Sequence, residues 1–80
     1  MNWQPYIESN EQVLGGKPVL KGTRLSVEFL LERLANGWSV QDLYDNYAGL
    51  TPAQVQAVFA FANEVVADNQ FFAATPRQSA

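Results

Sequence analysis

At Ser26 the spacing of the apolar side chains changes. Before it, aliphatic residues follow no fixed period and are broken by glycine and proline. After it, Val27, Leu30, Leu31 and Leu34 recur at i, i+3, i+4 and i+7, one stripe along a helix. A chain patterned in this way places a short extended segment in front of helices, so the expected fold is mainly α. Ser26 is an N-cap residue type, and Asn36-Gly37 supplies the glycine that usually follows a helix end, which predicts a first helix over about Val27 to Ala35.

Two more helix starts follow. Ser39 precedes Val40, Leu43 and Tyr44, and Asp42 stands where a carboxylate can reach back to the cap, giving a second helix over about Val40 to Asn46. Tyr47-Ala48-Gly49-Leu50 reads as a turn. Thr51-Pro52-Ala53-Gln54 then combines an N-cap threonine, proline at the first helical position and glutamine three residues after the cap. The third helix is expected over about Pro52 to Gln70. Its apolar residues Val55, Val58, Phe59, Phe61, Ala62, Val65 and Val66 span an arc of roughly 160°, wider than the ~100° stripe of an ordinary surface helix, so packing on more than one side is expected. Ala53, Ala57 and Ala60 form a small-residue flank that lets another backbone come close. The domain is expected to occupy residues 1–72, and residues 73–80 read as a disordered tail.

The N-terminal third, from about Tyr6 to Leu25, reads as a small β-hairpin or clasp. Gly15-Gly16 and Lys21-Gly22 mark its turns, because glycine adopts positive φ at little cost.

Eighty residues, 48% of them hydrophobic, make one domain with one small core, burying only roughly 60–65% of its unfolded surface. No cysteine is present to staple it, and there is no histidine either. Structural zinc sites, thiol nucleophiles, imidazole bases and the serine and cysteine triads are therefore excluded by composition. No cofactor is expected. The opening Met1-Asn2-Trp3-Gln4-Pro5 has neither the basic region nor the apolar stretch of a signal peptide. The longest apolar run, Ala57 to Ala62, is far short of the ~20 residues that span a bilayer, so no membrane partner and a cytoplasmic location are expected.

Eight acidic against five basic residues leave a net charge of −3, which counts against tight nonspecific nucleic-acid binding by a monomer. The distribution is uneven. No acidic residue occurs between Gln12 and Val27, whereas Lys17, Lys21 and Arg24 all fall there.

Helices two and three, with Leu43, Leu50 and Val55 at the corner positions, have the layout of a helix-turn-helix motif. A longer string is more distinctive. Gly16-Lys17-Pro18-Val19-Leu20-Lys21-Gly22-Thr23-Arg24-Leu25-Ser26-Val27, then Leu34-Ala35-Asn36-Gly37-Trp38-Ser39, then Tyr47, Leu50-Thr51 and Val55, closely resembles the domain-of-unknown-function family four-three-three. The resemblance runs from about Tyr6 to Ala62. It implies a homeodomain-like three-helix domain and a small bacterial antitoxin that sequesters a PIN-like ribonuclease toxin and represses its own operon by binding DNA. The alternative is a protein-protein interaction module of the same fold without DNA binding.

On the antitoxin reading, Lys17, Lys21 and Arg24 neutralise phosphates, and Thr51, Gln54 and Gln56 reach base edges from the start of the third helix. Each has a structural alternative. Arg24 can cap a helix or pair with a carboxylate, and the two glutamines can be the solvated edge of a core helix, since no charged residue occurs from Asn46 to Asn63. Phe29 lies roughly 200° around the first helix from Val27, away from the apolar stripe. It and Trp38 are either covered by the N-terminal clasp through Trp3 or Tyr6, or are anchors for a homodimer or toxin partner. Phe71 and Phe72 are the further partner-binding candidates. Glu28 with Glu32, Asp42 with Asp45 and Glu64 with Asp68 form carboxylate pairs at helical spacing. They are expected to be solvated or to face a basic partner, with neither a metal site nor a catalytic residue among them, and the protein is not expected to be an enzyme.

Overall fold

The computed structural model describes residues 1–68. Three helices follow a short hairpin: strands β1 (Ile7–Glu8) and β2 (Val19–Leu20), then α1 (Val27–Ala35), α2 (Val40–Asn46) and α3 (Pro52–Asp68). The strands are antiparallel, with Ile7 opposite Leu20 and Glu8 opposite Val19. The connection between them contains one tight turn at Leu14–Gly16, where Leu14 (φ 51°) and Gly15 (φ 67°) both take the left-handed conformation.

Each helix begins where a side chain can satisfy its free amides. The Phe29 N–H donates to Ser26 Oγ (2.9 Å) at the start of α1. At α2 the Asp42 N–H donates to Ser39 Oγ (3.0 Å) while the Ser39 N–H donates to Asp42 Oδ2 (2.8 Å), a complete capping box. Gly37 (φ 99°) ends α1 in the conformation that a side chain would strain, and the Trp38 N–H closes back on the Arg33 carbonyl (3.1 Å).

The hairpin belongs to the core rather than hanging from it. Ile7, Val19 and Leu20 are buried together with Val27 and Leu30 of α1, Leu43 of α2, and Val55, Ala57 and Val58 of α3. β2 is also held on its far side, where Val19 pairs with Ser26 and the Val27 N–H donates to the Pro18 carbonyl (2.9 Å). Ala57 is fully buried, so the small flank of α3 does admit close packing.

The expectation that α3 packs on more than one side holds for Val55, Ala57 and Val58 but not for every apolar residue of the helix. Phe59, Val65 and Val66 are 44%, 46% and 50% exposed. For Val65 and Val66 the reason is length: nine residues make α1 about 13.5 Å long, whereas the seventeen of α3 span about 25 Å, so α3 outruns the helix it packs on.

Candidate nucleic-acid and partner interface

Lys17 and Arg24 line one open pocket beside α1, and the three cations of the hairpin region do not stand on equal terms. The turn between β2 and α1 is built by Thr23, whose hydroxyl donates to the Leu20 carbonyl (2.8 Å) and accepts from the Leu25 N–H (3.0 Å). Gly22 supplies the positive φ of 77° that the reversal needs. Lys21 and Arg24 flank this turn, exposed and without an ion-pair partner among the described residues. Arg24 therefore neither caps a helix nor pairs with a carboxylate there. Lys17 does pair: its ammonium lies 2.7 Å from Glu28 Oε1, in an exposed salt bridge. The hydrogen bond to Glu28 and the charge of that carboxylate raise the Lys17 ammonium above the usual lysine value. A phosphate at Lys17 has to compete with Glu28.

The start of α3 is similarly committed. The Thr51 N–H donates to Gln54 Oε1 (2.8 Å), and the Gln54 N–H donates to Thr51 Oγ1 (3.2 Å). This reciprocal box uses the Gln54 carbonyl oxygen and the Thr51 hydroxyl, the acceptors that base readout requires. The Gln54 amide NH₂ and the Thr51 hydroxyl hydrogen stay available as donors. Gln56 is exposed and free of such a cap. The corner of the helix-turn-helix order is packed as its spacing predicts, with Leu43 and Val55 buried and Leu50 against the core cluster.

Phe29 and Trp38 are half-buried, and their cover comes from an unexpected quarter. Neither Trp3 nor Tyr6 closes over them. The Phe29 ring meets Tyr47 edge-on at 5.7 Å, Trp38 stacks near Tyr47 at 6.2 Å, and the Arg33 guanidinium lies 4.6 Å from the Phe29 centroid and 5.4 Å from that of Trp38. Within this cluster both rings stay half-buried. Arg33 and Tyr47 were not singled out by the sequence, although Phe29 and Arg33 at i, i+4 are neighbours on a helix face. Arg33 Nε is buried with no hydrogen-bond partner, which suits a guanidinium placed among rings. Trp3 instead packs edge-on to Phe61 at 4.7 Å and donates from Nε1 to Glu64 Oε1 (3.0 Å). Phe71 and Phe72 lie outside the described residues, as does the segment read as a disordered tail.

Four of the six carboxylates paired at helical spacing have partners: Glu28 in Lys17, Asp42 in the Ser39 cap, Asp45 in the Gln41 amide (2.9 Å) and Glu64 in the Trp3 indole. Among the described residues no three His, Cys, Asp or Glu side chains come together as a metal site would require. No helix there is long and apolar enough to cross a membrane. Between α1 and α3 runs an open apolar groove of about 540 Å³, lined by Leu31, Ala35, Phe61, Ala62, Val65 and Val66, with Glu28 and Glu32 on its edge.

A hairpin built into the core of three helices, the last two in helix-turn-helix order, defines a small mainly-α domain with a basic turn beside α1. The chain belongs to the family described as Protein of unknown function (DUF433), which it matches over residues 7–62. No curated protein and no solved structure matches it.

Proposed function

We propose that the chain is a noncatalytic antitoxin-like protein that binds and neutralises a PIN-like ribonuclease toxin, and that as a homodimer it represses its own operon through the hairpin turn. The observation that carries the DNA-binding part is the pair of exposed cations, Lys21 and Arg24, flanking the hydrogen-bonded turn between β2 and α1. A dimer presents that turn twice, which offsets the acidic net charge locally. Support for partner binding comes from the apolar face that α3 leaves exposed at Phe59, Val65 and Val66. The hydrogen bonds that hold Glu28, Asp42, Asp45 and Glu64 support a noncatalytic reading.

The interaction module without DNA binding is favoured by a different observation, the Thr51–Gln54 box that ties up the first turn of α3. The two are separated by measuring affinity for the upstream DNA against salt, with and without the neighbouring gene product. Phosphate contacts by Lys21 and Arg24 predict a negative slope on log[salt] that Lys21→Ala/Arg24→Ala makes shallower by about 1.8. No binding at low salt under either condition eliminates the repressor and leaves the module.

A further inference from the structure

Arg33, in the last turn of α1, carries a charge that the described residues leave unanswered. It has no ion-pair partner there, and its buried Nε has no hydrogen-bond partner. Rings surround it instead. Phe29 stands one turn before it with its centroid 4.6 Å from the guanidinium, and Trp38, whose N–H donates to the Arg33 carbonyl (3.1 Å), brings its indole to 5.4 Å. Tyr47 lies against both rings. We propose that Arg33, Phe29, Trp38 and Tyr47 form a docking site for an acidic side chain, an aspartate or glutamate that a protein partner presents between apolar residues.

The cation is held before any ligand arrives. An arginine that is free to move loses rotamer freedom on binding, whereas here the rings already fix the guanidinium plane, and a planar guanidinium pairs with a carboxylate through two parallel hydrogen bonds. The surroundings suit a protein. All four side chains are half-buried, so each keeps some surface open, and arginine, tryptophan and tyrosine are the residue types that dominate binding hot spots. The rings offer apolar contact to the partner residues on either side of the carboxylate and shield the ion pair from water. A nucleic-acid backbone fits less well. Glu32 is exposed beside Arg33 in the chain, and Asp42 is hydrogen-bonded to Ser39, the residue after Trp38, so a polyanion sets repeated charge against an acidic neighbourhood where one side chain sets a single charge. The inference rests on the reading that the chain acts by binding a protein, and holds whether or not that protein is a ribonuclease toxin.

The test uses the full chain and NMR of the Arg33 Nε–H and Trp38 indole N–H signals, with the Trp3 indole, held by Glu64, as the internal control. The probes are a blocked peptide of leucine, glutamate and leucine, the same peptide with glutamine in place of glutamate, and a short DNA duplex. The glutamate peptide should shift the Arg33 and Trp38 signals saturably at millimolar concentration and leave Trp3 in place, and the glutamine peptide should bind at least about tenfold more weakly. Arg33→Met, which keeps the apolar stem, should weaken the glutamate peptide by a similar factor, and Arg33→Lys, which keeps the charge without the fork, should restore only part of it. No shift with the glutamate peptide, or equal binding of the two peptides by the wild-type chain, overturns the proposal without recourse to a variant. A duplex that moves the Arg33 signal more strongly than the glutamate peptide also overturns it and assigns the site to nucleic acid. The neighbouring gene product decides the antitoxin reading separately: its failure to bind the wild-type chain ends that reading and leaves the peptide result intact.

Discussion

Truncating Leu20 to alanine tests whether the hairpin is structure or appendage. Leu20 is fully buried and packs in one cluster with Ile7, Leu30, Leu43 and Val58, so every layer of the domain touches the space its side chain fills. Removing a buried leucine side chain costs about 2–5 kcal/mol, from lost burial plus the cavity left behind. The upper half of that range is expected here, because the two-residue strands are pinned by backbone hydrogen bonds on both sides of β2 and cannot collapse inward. An 80-residue domain has a stability of about 4–12 kcal/mol, so Leu20→Ala removes a large share of it. At about 4–8 °C per kcal/mol, the melting temperature should fall by about 15–35 °C. The assay is urea unfolding followed by tryptophan fluorescence, with Lys21→Ala as the exposed neighbouring control, expected to stay within about 0.5 kcal/mol. A loss under about 1 kcal/mol for Leu20→Ala, with an unchanged m-value, would refute the integral hairpin and return it to the status of a mobile arm.

Thr51→Ala should cost about 1 kcal/mol by removing a cap, and adding Gln54→Ala should cost little more, since each residue serves the other; additive losses would show two independent roles. The Lys17–Glu28 pair predicts a pH dependence of defined sign. The folded pKa of Lys17 is raised, so its contribution is fully present below the usual lysine value of 10.5 and is lost as pH rises through the higher folded value. Wild type should therefore lose stability faster than Glu28→Gln in that alkaline range, and parallel curves would show that the pair contributes nothing. A double-mutant cycle of Phe29→Ala and Arg33→Met should give a coupling of about 0.5–1 kcal/mol, and strict additivity would remove the cation–ring contact from the account.

The helices were legible because their ends carry local chemistry. Ser26, the Ser39–Asp42 pair, Thr51-Pro52 and Gly37 act on backbone groups a few residues away, so their spacing alone places the ends of α1 and α2 and the start of α3. The pairing of Trp3 with Phe61 and Glu64 was not legible, since it joins residues about sixty positions apart and no local pattern encodes it. The same limit hid the partners of Phe29. Its position off the apolar stripe showed that it needed cover, but Tyr47 comes from beyond α2. At the candidate interface, the cationic cluster could be read from composition, whereas the commitment of Lys17 to Glu28 follows from how the hairpin lies against α1.

The contact between Trp3 and Glu64 also bears on the order in which the domain can be completed during synthesis. Trp3 precedes its partners Phe61 and Glu64 by about sixty residues. In a chain made from its N-terminus, that indole lacks both its ring and its carboxylate partner until the later turns of α3 are made. A chain that stops before Phe61 would leave the Trp3 indole without the ring and the carboxylate that hold it.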